Sequence, residues 1–130
     1  MDIIEIRTRS KEEFIDLTAE VGRVVAVSGV ASGVCIVTVP HTTAGVTVNE
    51  NADPDVKADL LMTLRRIVPD ALPYAHAEGN SPAHAKAALV GSSVTLIVEG
   101  GRLQLGTWQG VFFCEFDGPR TRKVWVKVIG

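Results

Sequence analysis

The chain has 130 residues, a formal net charge of −2 and 46% hydrophobic residues, which fits one domain over residues 1–130. Charged residues make up 22% of the chain, with both signs well mixed, which excludes a disordered protein and a strongly basic nucleic-acid binder. No apolar run approaches the roughly 20 residues of a membrane span, and the first residues lack a secretory signal. We therefore expect a cytoplasmic protein without nucleic-acid or membrane partners, with Cys35 and Cys114 as reduced core residues.

The first half of the chain mixes strands and helices. Short strands are predicted over residues 2–8, 14–17 and 33–39. Thr18 is expected to cap a helix that ends near Gly29. Residues 41–51 read as a polar loop, after which Asp53 caps a helix that Pro69 stops.

The second half is predicted to hold one more helix and then only strands. Ser81 is expected to cap the helix, which Gly91 ends. The strands are predicted over residues 94–98, 102–105, 111–116 and 122–129, with Glu99-Gly100-Gly101 as a hairpin turn. Residues 111–116 are apolar on both faces, which places them between two layers or in a subunit interface. The expected class is α+β: a mostly antiparallel, layered, sandwich-like sheet with two to three helices.

All three histidines fall in the middle third of the sequence. His41 follows a predicted buried strand, His76 lies in a polar loop, and His84 lies in the first turn of a helix. The positive end of that helix favours a neutral imidazole, the form that ligates metals. Three neutral imidazoles with an open position are the ligand set of a catalytic zinc-type site. The spacing matches no known metal motif, so isolated surface or core histidines are the alternative.

A second group of polar residues lies close to His41 in the sequence. Glu50 is expected to share one polar loop with Thr42, Thr43 and Asn49. A carboxylate in such a loop acts as a general acid or base or as a ligand, or it only caps backbone amides.

Two later segments could form the rim of a pocket. Thr107, Trp108 and Gln109 lie between two glycines, which indicates either an aromatic and amide wall or a β-bulge. Arg120 and Arg122 follow a tight turn, where a guanidinium suits a phosphate or carboxylate or is simply exposed.

Taken in chain order, four motifs make this sequence similar to the YjbQ-like family. They are His41-Thr-Thr-Ala-Gly-Val-Thr-Val-Asn-Glu50, Asn80-Ser-Pro-Ala-His84, Gly106-Thr-Trp-Gln109 and Phe116-Asp-Gly-Pro-Arg120. The resemblance implies a small α+β protein that forms a homotrimer. It also implies a secondary thiamine-phosphate synthase activity, which joins a pyrimidine methyl diphosphate to a thiazole phosphate.

The resemblance further implies that His41, His76 and His84 hold a divalent metal ion, zinc-like from the ligand set, with magnesium as an alternative. Glu50 and Arg120 are then the expected catalytic residues, and Arg120 contacts an anionic or phosphorylated ligand. The expected substrate contacts are Thr42, Thr43, Asn49, Thr107, Trp108, Gln109 and Arg120. The expected function is a metal-dependent enzyme, either a thiamine-phosphate synthase-like transferase or a hydrolase. A non-catalytic module for a small anion or a protein partner is the alternative.

Overall fold

A computed structural model describes all 130 residues as eight strands and three helices. The strands are β1 (Asp2–Arg7), β2 (Glu13–Asp16), β3 (Ser32–Thr38), β4 (Ala44–Glu50), β5 (Ser93–Glu99), β6 (Arg102–Gln104), β7 (Gln109–Glu115) and β8 (Thr121–Ile129). The helices are α1 (Thr18–Ser28), α2 (Pro54–Ile67) and α3 (Ser81–Val90). The predicted α+β class is confirmed. None of the three helices has the length and apolar character that crossing a bilayer requires.

The strands form two antiparallel sheets that pack against each other. One sheet has the order β1-β8-β3-β5-β6 and the other the order β2-β7-β4. A core of 15 buried apolar residues joins the two sheets, and Val21 and Val25 of α1 complete it. Burial of this aliphatic surface is the main stabilising contribution to the fold.

Strand β7 is buried on both faces because it lies between two layers of the same chain. Val111 and Phe113 pack in the core between the sheets. Phe112 and Cys114 pack on the opposite side, in a second cluster with residues of α2 and α3. Of the two explanations for this apolar run, the layer explanation holds, and the run is no evidence of a subunit interface.

Several local signals act as predicted. Asp53 caps α2, and its carboxylate accepts a hydrogen bond from the Asp55 N–H at 2.9 Å. Gly29 ends α1 with a φ of 73°. Gly100 and Gly101 both have positive φ and form the two-residue turn between β5 and β6.

Two helix caps differ from the prediction by one residue. Leu17, not Thr18, is the N-cap of α1, because Thr18 already donates its hydroxyl and its N–H to the Asp16 carboxylate. Asn80, not Ser81, is the N-cap of α3. Neither observed cap residue donates or accepts a side-chain capping bond.

The predicted polar loop over residues 41–51 is wrong for most of its length. Residues 44–50 form β4, which pairs with β7 from Ala44 opposite Glu115 to Glu50 opposite Gln109. Ala44 and Val46 alternate into the core, while every second residue is small or polar. At Gly45 a Cβ atom would lie only 2.6 Å from the Gly91 carbonyl oxygen, so only glycine fits there. This strand therefore separates the two ends of the former loop.

Both cysteines are buried and free, as expected of core residues. Burial raises the pKa of the Cys35 thiol to about 11 and likewise raises the pKa of Cys114. Neither thiol is therefore available as a nucleophile at neutral pH.

Candidate anion-binding site

A buried ion pair joins the two sheets where four of the strands end or begin. Glu115 is the last residue of β7, and Arg122 is the second residue of β8. Both side chains are almost fully buried. The guanidinium donates hydrogen bonds to both carboxylate oxygens, from Nε to Oε1 at 2.9 Å and from Nη2 to Oε2. The Thr8 hydroxyl and the Asp117 N–H also donate to this carboxylate, at 2.8 and 3.0 Å.

These contacts determine the charge state of the pair. Burial by itself raises the pKa of Glu115, but the bonds from Arg122, Asp117 and Thr8, together with the charge of Arg122, lower it below its usual value of 4.5. The carboxylate is therefore ionised at neutral pH, and it holds the Arg122 guanidinium in one orientation.

The fixed orientation of Arg122 leaves one nitrogen for a ligand. Nε and Nη2 are used by Glu115, and Nη2 also donates to the Thr43 hydroxyl at 2.9 Å. No protein acceptor receives a hydrogen bond from Nη1, and Arg122 lines an open cavity of about 450 Å³. The side chain is only 3% exposed, so the guanidinium is held in place. Nη1 is nevertheless not fully shielded from the cavity, and its two N–H groups have no protein acceptor.

His41 contributes a second fixed donor to the same cavity. Its Nε2 accepts a hydrogen bond from the backbone N–H of Lys123 at 2.9 Å. Desolvation and the neighbouring Arg122 guanidinium lower the pKa of His41 below 6.5, so the ring is neutral at neutral pH. A neutral imidazole whose Nε2 accepts carries its proton on Nδ1. His41 therefore offers an Nδ1–H group.

The two other histidines line the cavity from the side of α3. The rings of His76 and His84 meet edge to face with their centroids 5.4 Å apart. His76 Nε2 lies 3.8 Å from a carboxylate oxygen of Glu78, and both side chains are well exposed. His84 lies in the first turn of α3, and the N-cap Asn80 lines the same cavity, so the N-terminus of α3 borders the cavity.

Arg120 lies at the mouth of the cavity, where it is half exposed. It donates to the Asp117 carboxylate at 3.0 Å and to the Asp117 carbonyl oxygen at 2.9 Å. Thr42 and Thr43 line the same cavity, and apart from Pro40 every lining residue is polar. Five of the residues predicted to form the site besides Arg120 thus converge here: His41, Thr42, Thr43, His76 and His84.

The converging histidines do not fit a metal ion. No group of three or more His, Cys, Asp or Glu side chains has an arrangement that could hold one. His41 with its proton on Nδ1 and its Nε2 lone pair in a hydrogen bond has no lone pair left for a cation. Arg120 and Arg122 also face the cavity, and their positive charges oppose a cation. The predicted three-histidine metal site is therefore wrong in its geometry.

The remaining predicted residues lie at the opposite end of the β4–β7 ladder. They are Asn49, Glu50, Thr107, Trp108 and Gln109. Seven residues of extended strand place Glu50 roughly 20 Å from the cavity that His41 lines. Glu50 instead lines a small cavity of about 90 Å³ beside Asp16 and Asp53. Trp108 lies on a turn and is 62% exposed.

The sequence gives only a weak signal for the two residues that organise the site. Arg122 is noted beside Arg120 as a possible anion contact but is not among the expected site residues, and Glu115 is not noted at all. One signal was available: Glu115 continues the inward-facing series of Val111 and Phe113, which places a lone carboxylate in the core. A buried carboxylate requires a cation, and Arg122 is the nearest arginine that begins a strand.

A family model described as "UPF0047 protein YjbQ-like" matches residues 2–130. The chain belongs to the UPF0047 (YjbQ-like) family. The UPF0047 protein YugU from Bacillus subtilis is 50% identical over 128 residues, covering 98% of this chain and 97% of that protein. A UPF0047 protein from Methanocaldococcus jannaschii is 49% identical over 126 residues, covering 97% and 91%.

Crystal structures of other UPF0047 proteins share the fold. An uncharacterised protein from Clostridium acetobutylicum is 53% identical, with a TM-score of 0.97 and coverage of 99% of this chain and 100% of that one. A protein of unknown function from Sulfolobus solfataricus is 32% identical, with a TM-score of 0.96 and coverage of 99% and 95%.

These findings correct the predicted function. The similar crystal structures are described as uncharacterised or of unknown function, and the names of the sequence relatives state no thiamine-phosphate synthase or other transferase activity. The side-chain geometry supports neither a zinc site nor any other metal-dependent chemistry. The prediction of a metal-dependent enzyme with secondary thiamine-phosphate synthase activity is therefore wrong.

Proposed function

We propose that the cavity lined by His41, Arg120 and Arg122 binds a small anionic ligand, with a phosphate group as the best match. The observation that carries this proposal is the buried Arg122 guanidinium, whose Nη1 faces no protein acceptor while its other nitrogens are fixed by Glu115 and Thr43. Since the planar guanidinium of Arg122 is already oriented, binding an oxygen anion costs little additional side-chain entropy.

The rest of the cavity adds donors around that nitrogen. His41 contributes Nδ1–H, Thr42 contributes a hydroxyl, and the first turn of α3 contributes its positive end. Arg120 is half exposed and can turn from Asp117 towards a ligand. Glu78 is the only carboxylate that lines this cavity. That a reaction follows binding stays a prediction, as does the alternative of a protein partner.

Calorimetric titration with inorganic phosphate tests the proposal. Arg122→Lys keeps a positive charge beside Glu115 but removes the planar fork, so we expect phosphate to bind about tenfold more weakly or worse. Arg102→Lys is the matched control, since Arg102 is exposed on β6, and it should bind phosphate as the wild type does. Failure of the wild type to bind phosphate, or equal affinity in both variants, would contradict the proposal.

We also propose that the chain forms a homotrimer through the outer face of the five-stranded sheet. Ile3 pairs with Trp125, and Ile97 and Ile129 both pair with Val34, so exposed apolar residues cluster across four strands. Glu5 and Lys123 pair on the same face and provide both signs of charge for contact with another copy.

Sedimentation equilibrium tests this assembly directly. The wild type should sediment as a trimer at micromolar concentration, and Trp125→Lys should shift it to monomer because the charge would be buried in the contact. Trp108→Lys is the control, since Trp108 is exposed on a turn outside that sheet. A monomeric wild type would contradict the proposal.

We also propose that the protein is cytoplasmic, where its two buried thiols stay reduced.

A further inference from the structure

A second cavity continues from the anion-binding site along the first turns of α3. It has a volume of about 310 Å³ and shares Glu78 and Asn80 with the first cavity. Its other polar walls include Lys11, Glu12, Lys86 and Asp70. The two cavities together have the size of an ordinary small-molecule site. We call this second cavity the side groove.

Lys86 is a buried cation that lines the side groove. Its side chain is 4% exposed, and Nζ lies 2.6 Å from one carboxylate oxygen of Glu12. The other oxygen of Glu12 accepts a bond from Arg65 at 2.7 Å. The ammonium has three N–H groups, and Glu12 is its only protein acceptor, so two donors remain.

Carboxylate acceptors line the same groove as these donors. They include Glu78, which is exposed, and Asp70. A ligand group that both accepts from Lys86 and donates to Glu78 must carry a hydrogen on an electronegative atom, as a hydroxyl does. A second anionic group fits poorly, because the carboxylates of the groove would repel it.

An aromatic or alkyl group also fits poorly in the side groove. Its apolar side chains are limited to Pro82, Ala83 and Phe116. Phe116 is 2% exposed, so it offers no ring face for stacking. The walls thus lack the apolar surface that bound heterocycles and lipids bury.

We infer that the ligand is the phosphate ester of a polyhydroxy compound, a sugar or polyol phosphate. This inference rests on the proposed function: the phosphate contacts Arg122 Nη1 and His41 Nδ1, and the hydroxyl groups run past Glu78 to Lys86. It assigns recognition of the phosphate to one cavity and discrimination among phosphate esters to the side groove.

Calorimetry with three probes tests the inference: inorganic phosphate, glucose 6-phosphate and butyl phosphate. We expect glucose 6-phosphate to bind the wild type at least about tenfold more tightly than the other two, through the added hydrogen bonds. Lys86→Met and Glu78→Gln should remove most of this preference while changing the affinity for inorganic phosphate less than about twofold. Glu78 is exposed, so Glu78→Gln should fold normally and tests the groove even if the buried change Lys86→Met prevents folding. Asp59→Asn, exposed on α2 and outside both cavities, is the matched control and should keep the wild-type preference.

The outcomes separate the two proposals. If inorganic phosphate binds but glucose 6-phosphate has no advantage over butyl phosphate, the inference is wrong and the phosphate site stands. An advantage that survives in both Lys86→Met and Glu78→Gln would equally overturn the role of the side groove. If none of the three probes binds the wild type, both proposals fail.

Discussion

Replacing Glu115 by Gln should strongly destabilise the fold, because the change leaves the Arg122 charge buried without a counterion. The carboxylate receives bonds from Arg122, Thr8 and the Asp117 N–H, and both partners of the ion pair are almost fully buried. Breaking a buried pair from one side costs about 3–5 kcal/mol. Because whole domains are stable by only about 5–15 kcal/mol, this is a large fraction of the total.

The free energy of unfolding is measured by urea denaturation at one protein concentration, since an oligomer makes stability depend on concentration. Arg120→Gln is the control, because the half-exposed pair of Arg120 with Asp117 contributes only about 0–1 kcal/mol. The double variant Glu115→Met/Arg122→Met removes both charges and should recover most of the loss, as uncharged replacements of buried pairs do.

Two results would refute this reasoning. One is a Glu115→Gln protein whose unfolding free energy lies within about 1 kcal/mol of the wild type. The other is a double variant whose free energy of unfolding is lower than that of both single variants, Glu115→Gln and Arg122→Met. The destabilisation would then not arise from an uncompensated charge.

Two further predictions concern protonation. The pKa values of Glu12, Asp16 and Glu115 are lowered, because hydrogen bonds to each carboxylate outweigh the opposing effect of burial. These groups add stability above their unfolded values of 4.5 and 3.8, and the stability is lost as pH falls through the folded values. Urea denaturation at successive pH values should thus show that the free energy of unfolding falls steeply below about pH 4.5. This fall should be shallower in Glu115→Gln, and an equal pH dependence in both proteins would contradict the role of Glu115. Nitrogen-15 NMR at pH 7 should show the His41 proton on Nδ1, with His41→Asn to assign the signal; a proton on Nε2 would contradict the bond from Lys123.

Much of the fold could be predicted because local chemistry decides it. Asp53 and Pro54 start α2, and the Gly100-Gly101 pair allows only a tight hairpin turn. Strand β4 was missed because its alternate positions, Gly45, Thr47 and Asn49, are small or polar, so the alternation of Ala44, Val46 and Val48 was outweighed by the composition of the whole segment. The space that requires Gly45 is set by Gly91, which is distant in the sequence.

The candidate site was only partly predictable because contacts across the fold complete it. The sequence singles out His41 after a buried strand and His84 in the first turn of a helix, and both line the cavity. Their chemistry depends on partners far away in sequence: the Lys123 N–H takes the His41 lone pair that a metal would need. The placement of Glu50 depended on β4, whose length no motif reveals.

A crystal structure of the protein grown with inorganic phosphate tests the central claim most directly. We expect a phosphate whose oxygens lie within hydrogen-bond distance of Arg122 Nη1 and His41 Nδ1, with the Glu115–Arg122 pair and the bond from Lys123 to His41 intact. Crystals of the Arg122→Lys variant grown under the same conditions should lack this phosphate. Phosphate bound only at other surfaces, or bound equally in both crystals, would contradict the claim.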